Sequence, residues 1–195
     1  MSTPVLHVLA GSNGAGKTTL AERILIPKMQ LPFINADRIA EQTWPGDRDR
    51  QSRGAIEVSQ MAQVQRERLL EGRVSFITET VFSHESKLDL LRNAVHLGYS
   101  VTLHVVMIPE DLAVARVADR ALAGGHLVPE DKIRGRYARL WALIAQARGI
   151  VDQTEFYDNS TLNRPLRRVA VYEYGEQVGQ PDWPDWTPAV LRVGR

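Results

Sequence analysis

An α/β fold with a mostly parallel sheet is expected from two observations on the sequence. Short apolar runs alternate with amphipathic stretches along most of the chain, the pattern of repeated strand–helix units. A glycine-rich run, Gly11–Thr18, stands between the first such strand and the first such helix. The 195 residues suit one well-buried domain, taken as 1–195, and are short for two.

The strands are read in order. Val5–Ala10 is the first, Phe33–Asp37 the second, Ser75–Glu79 the third and Val101–Ile108 the longest, with Glu155–Asp158 a weaker fifth. Val169–Tyr174, then Gly175, then Glu176–Val178 reads as a C-terminal hairpin. Helices fill the gaps. One is predicted from Lys17 to about Leu25, stopped by Pro27, and another from Ile56 to Leu70 with Gly72 as terminator. Ser83 is the expected N-cap of a helix carrying Leu88, Leu91 and Val95 and closed by Gly98. Pro109-Glu110-Asp111 and Pro129-Glu130-Asp131 are repeated start signals, because proline suits a first turn and acids favour the positive end of the dipole. The second of these helices places Ile133, Tyr137, Leu140, Trp141 and Ile144 on one apolar face. The tail from Gly179 is expected to be irregular and packed over the domain.

Composition narrows the function classes. The apolar fraction is 44% and the charged fraction 24%, values of an ordinary globular chain. Twenty-four Lys and Arg against 23 Asp and Glu leave a net charge of +1, so no global footprint for nucleic acid or an anionic membrane follows. With no cysteine, disulfides, thiolate chemistry and Cys-ligated metals are excluded. Met1 to Ala10 lacks the basic flank and long apolar stretch of a signal peptide, and a cytoplasmic protein is expected.

Gly11-Ser12-Asn13-Gly14-Ala15-Gly16-Lys17-Thr18 matches G-x-x-x-x-G-K-[ST] in full. Glycines let successive backbone N–H groups turn inward around phosphate oxygens, and the helix that follows adds its positive end. Lys17 is suited to the β- and γ-phosphates and the Thr18 hydroxyl to Mg²⁺. Gly11, Asn13, Gly14, Ala15, Gly16, Lys17, Thr18 and Thr19 are therefore the candidate nucleotide-binding residues. The fold expected is a kinase-like P-loop NTPase: a three-layer sandwich on a five-stranded, mostly parallel core sheet, with a helical lid.

The motif specifies a nucleoside triphosphate and Mg²⁺ but no reaction. A kinase must also take a proton from an acceptor hydroxyl and neutralise charge on the transferring group. Asp37, at the expected end of the second strand, faces the same crevice as the loop and suits the base, or else a helix N-cap for Arg38 onward. Glu79 and Thr80, closing the third strand, are candidates for the acceptor side. Arginines gather between Arg116 and Arg136, with Arg116 and Arg120 sharing one helix face, and a lid of about 116–139 pivots on Gly124–Pro129. Helical-wheel arithmetic puts Arg134 and Arg136 on opposite flanks of the apolar stripe, so they do not both face the phosphates. Arg120 and Arg134 are the preferred catalytic pair, with Arg116 and Arg136 the lesser candidates. His126 reads as a lid packing residue, and His7 and His104, inside strands, as satisfied core histidines.

Together these segments resemble the zeta toxin family of P-loop kinases, in a compact form. The resemblance rests on Gly11–Thr18, Phe33–Asp37 and Ser75–Thr80. Gly98-Tyr99, Arg116–Arg120, Gly124–Pro129, Ile133–Tyr137 and Tyr157-Asp158-Asn159-Ser160 extend it. It implies ATP- or GTP-dependent phosphorylation of UDP-N-acetylglucosamine on the sugar's 3′-hydroxyl. The same resemblance implies Asp37 as base, Lys17 on the phosphates, two lid arginines, and Glu79 and Thr80 near the acceptor. A toxin restrained by a partner antitoxin is also implied. Two other readings stay open at this point: a metabolite, nucleoside or antibiotic kinase outside any toxin system, and an ATP-driven switch without an acceptor.

Overall fold

The computed structural model describes residues 3–123 and 128–192. Seven strands form one sheet in the order β2-β3-β1-β4-β5-β6-β7. They are β1 Val5–Ala10, β2 Phe33–Ile34, β3 Phe76–Thr80, β4 Ser100–Met107, β5 Gln153–Asp158, β6 Arg167–Glu173 and β7 Glu176–Val178. The first five in that spatial order pair in parallel, and β6 and β7 add to the β5 edge antiparallel. The predicted hairpin is thus the continuation of the core sheet. It turns at Tyr174 and Gly175, both at positive φ (51° and 83°).

The chain leaves β1 toward β2 and β3 on one side and toward β4 and β5 on the other. The crevice expected at such a switch point opens at the carboxyl end of β1, where Gly11 begins. Helices cover both faces. Leu6, Val8 and Ala10 of β1 alternate toward one cluster that includes Val58, Leu88, Leu91, Leu140, Trp141 and Ile144. Leu9, Ile77 and Val106 face the other, packed with Leu20, Leu25, Ala113, Val117 and Ile133.

Several boundaries differ from expectation for local reasons. The first helix does not stop at Pro27. α1 (Lys17–Leu20) passes through a π-helical segment, Ala21–Leu25, into α2 (Ile26–Met29), which has Pro27 in its first turn. The widened turn removes the demand for a proline N–H, and a first turn tolerates the ring. The second strand ends at Ile34, because Asn35 caps α3 (Ala36–Thr43) by accepting from Arg38 N at 3.0 Å. α4 (Arg48–Arg53) precedes α5 (Ala55–Glu71), and Gly72 ends the latter as predicted. α6 (Ser86–His96) is capped at Glu85 rather than Ser83. α7 (Glu110–Leu122) and α8 (Glu130–Ala147) start where their Pro-acid signals predict, with each proline just outside the helix. The tail closes over α8 with α9 (Ala189–Arg192); Leu191 is buried, and its carbonyl accepts from Arg148 at 3.1 Å.

α8 positions the rim of the crevice. Ile133, in its first turn, packs in the cluster on one face of the sheet, whereas Leu140, Trp141 and Ile144 pack on the other. The helix therefore passes over the carboxyl edge. Between the two anchors, the Tyr137 hydroxyl donates to Ile108 O at 3.0 Å, just beyond β4. Gly124, Gly125, His126 and Leu127, the expected hinge, lie outside the described residues. No helix among the described residues is long and apolar enough to cross a membrane.

Candidate active site

The glycine-rich loop is shaped as its residue types require. Gly11, Gly14 and Gly16 have φ of 146°, 73° and 97°, a region that side chains disfavour. A Cβ on Gly14 would meet Ala113 O and Arg116 Cβ at 3.2 Å each, and one on Gly16 would overlap the side-chain nitrogen of Asn159. The loop is clamped from outside. Asn159, following β5, donates to Ala15 O at 2.8 Å and accepts from Leu166 N at 3.2 Å. Arg116 of α7 donates to Asn159 O at 3.0 Å and to Gly14 O at 3.5 Å.

Inside the cradle, Lys17 is 6% exposed and donates to Ser12 O at 2.9 Å. Its Nζ lies 3.7 Å from Glu79 Oε1. Glu79 Oε2 accepts from the Thr18 hydroxyl at 2.8 Å and from Asn35 at 2.7 Å. One carboxylate thus ties the phosphate loop, the end of β3 and the cap of α3 together. Burial pushes the Lys17 ammonium pKa down, the charges of Glu79 and Asp37 oppose this, and the charge of Arg120 adds to it. Asp37 of α3 and Arg120 of α7 thus both bear on the buried lysine through their charges.

The other expected site residues divide clearly. Asp37 is exposed in the first turn of α3, not at a strand end. Thr80 lies beside Glu79, and its hydroxyl accepts from Phe82 N at 3.1 Å. Phe82 is fully buried at φ 63°, a left-handed conformation unusual for a bulky residue. Thr19 is exposed on α1 and Ala15 is buried. Arg136 reaches Asn13 Oδ1 at 3.4 Å and so sits on the loop. Arg134, expected as half of the catalytic pair, is not brought there. It faces outward onto Glu130, Asp111 and Glu110 at 2.8, 3.0 and 3.2 Å, and the hydrogen bonds it donates to the first two hold it firmly charged. The wheel separation of Arg134 from Arg136 thus holds, but the two change roles: three carboxylates on the outer flank of α7 and α8 capture Arg134.

Two residues at the site were outside the sequence list of functional side chains. Asn35 bridges α3 and Glu79; its signal is an Asn two residues before an acid at a strand end. Asn159 clamps the loop, and only the Asp-Asn-Ser run after a strand pointed to it. His7 and His104, expected as core histidines, have ring nitrogens 3.0 Å apart, with His104 buried, His7 half-buried and His104 Nδ1 3.2 Å from Glu155 Oε2. They lie in the sheet, away from the loop's polar contacts.

The donor set fits the groups the motif requires. Glycines whose missing side chains leave room at the loop, with a buried lysine beneath, make an anion cradle suited to a triphosphate. The Thr18 hydroxyl and Glu79 carboxylate are hard oxygens, the kind Mg²⁺ takes alongside substrate phosphates and water.

Comparison with known proteins agrees with this geometry. The family model described as zeta toxin matches residues 1–179. An uncharacterized protein of Haemophilus influenzae is 29% identical over 133 residues, 65% of this chain and 88% of that one. The AvrRxo1-ORF1:AvrRxo1-ORF2 complex with sulphate ions aligns with a TM-score of 0.71 at 16% identity, covering 90% of this chain and 60% of that one. The PezAT chromosomal toxin–antitoxin system of Streptococcus pneumoniae aligns with a TM-score of 0.59 at 17% identity, covering 81% of this chain and 68% of that one.

Proposed function

The chain belongs to the zeta toxin family, with a P-loop phosphotransferase fold, and from that premise we propose that it transfers the γ-phosphoryl group of ATP or GTP to a sugar hydroxyl. The acceptor proposed is UDP-N-acetylglucosamine at its 3′-hydroxyl, and the role that of a toxin held in check by an antitoxin, acting in the cytoplasm. The observation that carries the reading is the meeting of Lys17, Thr18, Glu79 and Asn35 at the carboxyl ends of β1 and β3, with Asp37 and Arg120 acting on Lys17.

Each residue then has a task. The loop amides and Lys17 hold the β- and γ-phosphates and offset the charge that builds on them. Asp37, exposed and without a hydrogen bond or ion pair among the described residues, accepts the proton of the acceptor hydroxyl as its oxygen attacks the γ-phosphorus. The bond from that phosphorus to the β-bridging oxygen breaks, leaving the nucleoside diphosphate. Arg120, with Arg116 and Arg136 on the loop, stabilises the charge on the transferring group. Thr18 would hold Mg²⁺, which would supply polarisation of the phosphate oxygens there. Glu79 and Thr80 orient the acceptor, and Glu79 also holds Thr18 in place.

Incubation with γ-labelled ATP and UDP-N-acetylglucosamine should give a labelled sugar nucleotide, identified by mass. Asp37→Asn should lower kcat by about 10²–10⁴ while nucleotide affinity stays within a few-fold. Unchanged turnover would remove Asp37 from the role. Transfer only to other metabolites would refute the acceptor. In cells, the intact chain should arrest growth and the Lys17→Ala form should not.

A further inference from the structure

Arg38 follows Asp37 in the first turn of α3 and reaches across to the helix that leads out of the phosphate loop. Its guanidinium donates to Glu22 Oε1 at 2.6 Å and lies over the Phe33 ring of β2, 4.9 Å from the ring centre. Both charged side chains are about half exposed, so the pair adds little to stability. Its position matters more than its strength. Glu22 stands four residues after Thr18, in the π-helical segment, and so shares a helix face with it.

These contacts close a ring. Thr18 and Asn35 donate to the same oxygen of Glu79, and Asn35 in turn accepts from the Arg38 amide at 3.0 Å. Arg38 then returns to Glu22, and one continuous helix joins Glu22 to Thr18. The other oxygen of Glu79 lies 3.7 Å from Lys17 Nζ, so the ring is built onto the phosphate cradle. Asp37 sits on the arc between Asn35 and Arg38, and α3 is fastened on both sides of it. Asn35, 5% exposed, sets where the turn begins, and Arg38 sets its rotation about the helix axis. Successive residues of an α-helix point about 100° apart, so fixing Arg38 fixes the bearing of Asp37. With side chains about 5–6 Å from the axis, a rotation of about 10° carries a carboxylate about 1 Å. A displacement of about 1 Å can cost about a hundredfold in rate.

We propose that Glu22 and Arg38 are positioning residues. Their ion pair holds the first turn of α3 at a fixed rotation against the phosphate-loop helix and so aims the Asp37 carboxylate at the acceptor hydroxyl. This rests on the reading of Asp37 as the base. Phe33 supports the guanidinium, because a ring face attracts the cation and leaves its N–H edge free for Glu22.

The first test is steady-state transfer to whichever acceptor the intact chain labels. Arg38→Met, which keeps an apolar stem over Phe33, and Glu22→Ala, which leaves Arg38 itself in place, should each lower kcat by about 10–30-fold. KM for ATP and for the acceptor should stay within about threefold, because no binding group is lost. The double variant should lose no more than about twofold beyond the worse single one, since both break the same contact. Arg38→Lys, which retains a cation for Glu22, should keep kcat within about threefold. Melting temperatures should move by less than about 2 °C. Unchanged kcat in both single variants, or losses that multiply in the double variant, would overturn the proposal. A loss at Arg38 with none at Glu22 would mark Arg38 as a direct substrate contact and overturn it too.

The second test needs no acceptor. The chain has no cysteine, so Arg23→Cys and Gln42→Cys each take one spin label, at exposed positions on the two helices. With Mg²⁺ and a non-hydrolysable ATP analogue present, double electron–electron resonance should give one narrow distance distribution, broadened by Arg38→Met and by Glu22→Ala. An unchanged distribution would overturn the proposal. Should Asp37→Asn leave turnover intact, or no acceptor be labelled, while the distribution still broadens, the reading of Asp37 fails and the fastening of α3 by Glu22 and Arg38 stands.

Discussion

Gly16 and Asn159 are predicted to be energetically coupled, and the coupling can be sized from their geometry. Gly16→Ala introduces a side chain at φ 97°, which costs on the order of 1–2 kcal/mol by left-handed strain alone. The new Cβ also overlaps the Asn159 amide, so that amide must leave Ala15 O, its acceptor at 2.8 Å. Losing that bond adds about 1–2 kcal/mol. Asn159→Ala alone forfeits the same bond and the one received from Leu166 N at 3.2 Å, for about 2–3 kcal/mol. In the double variant the overlap has no object and the Ala15 bond is already gone. The combined cost should therefore fall short of the sum by about 1–2 kcal/mol. Urea unfolding at constant m reads this as a difference of midpoints. Costs that add to within 0.5 kcal/mol would show that Asn159 does not brace the loop, and the account of the clamp would be wrong.

Other outcomes follow from the same contacts. Arg136→Ala and Arg116→Ala should each lower kcat by about 10²–10³, and Arg134→Ala by less than threefold, because Arg134 is held by Glu110, Asp111 and Glu130. Equal losses at all three positions, measured by product formation, would contradict the division of roles. Acid should destabilise the fold in two stages. Burial and His104 depress His7 to about 4, so its contribution is complete above pH 6.5 and is lost as pH falls to 4. The hydrogen bond from His104, with those from Tyr157 and the charge of Arg168, outweighs burial and holds Glu155 at about 2, so its share is lost between pH 4.5 and 2. Allowing for solvent screening, each stage should be on the order of 2 kcal/mol. His7→Gln should flatten the first stage in a pH series of urea midpoints, and an unchanged slope would exclude His7 as its source.

The chain's own order of residues determined the strand–helix alternation, the phosphate loop and the two Pro-acid helix starts. These depend on periodicity, on glycine's freedom at positive φ and on capping, all of which act over a few residues. The same local chemistry misled where neighbours intervene. Phe33–Asp37 reads as one strand, yet Asn35 is drawn into capping α3 because its amide can serve Arg38 N and Glu79 together. Pro27 reads as a stop, yet a π-helical turn carries the helix past it. Which arginine reaches the loop was a tertiary matter. Arg134 and Arg136 are two residues apart, and only the crossing of α8 over the sheet edge, set by Ile133 on one face and Leu140 on the other, turns Arg136 inward. Long-range packing decided that, because it alone brings together groups that the chain keeps apart.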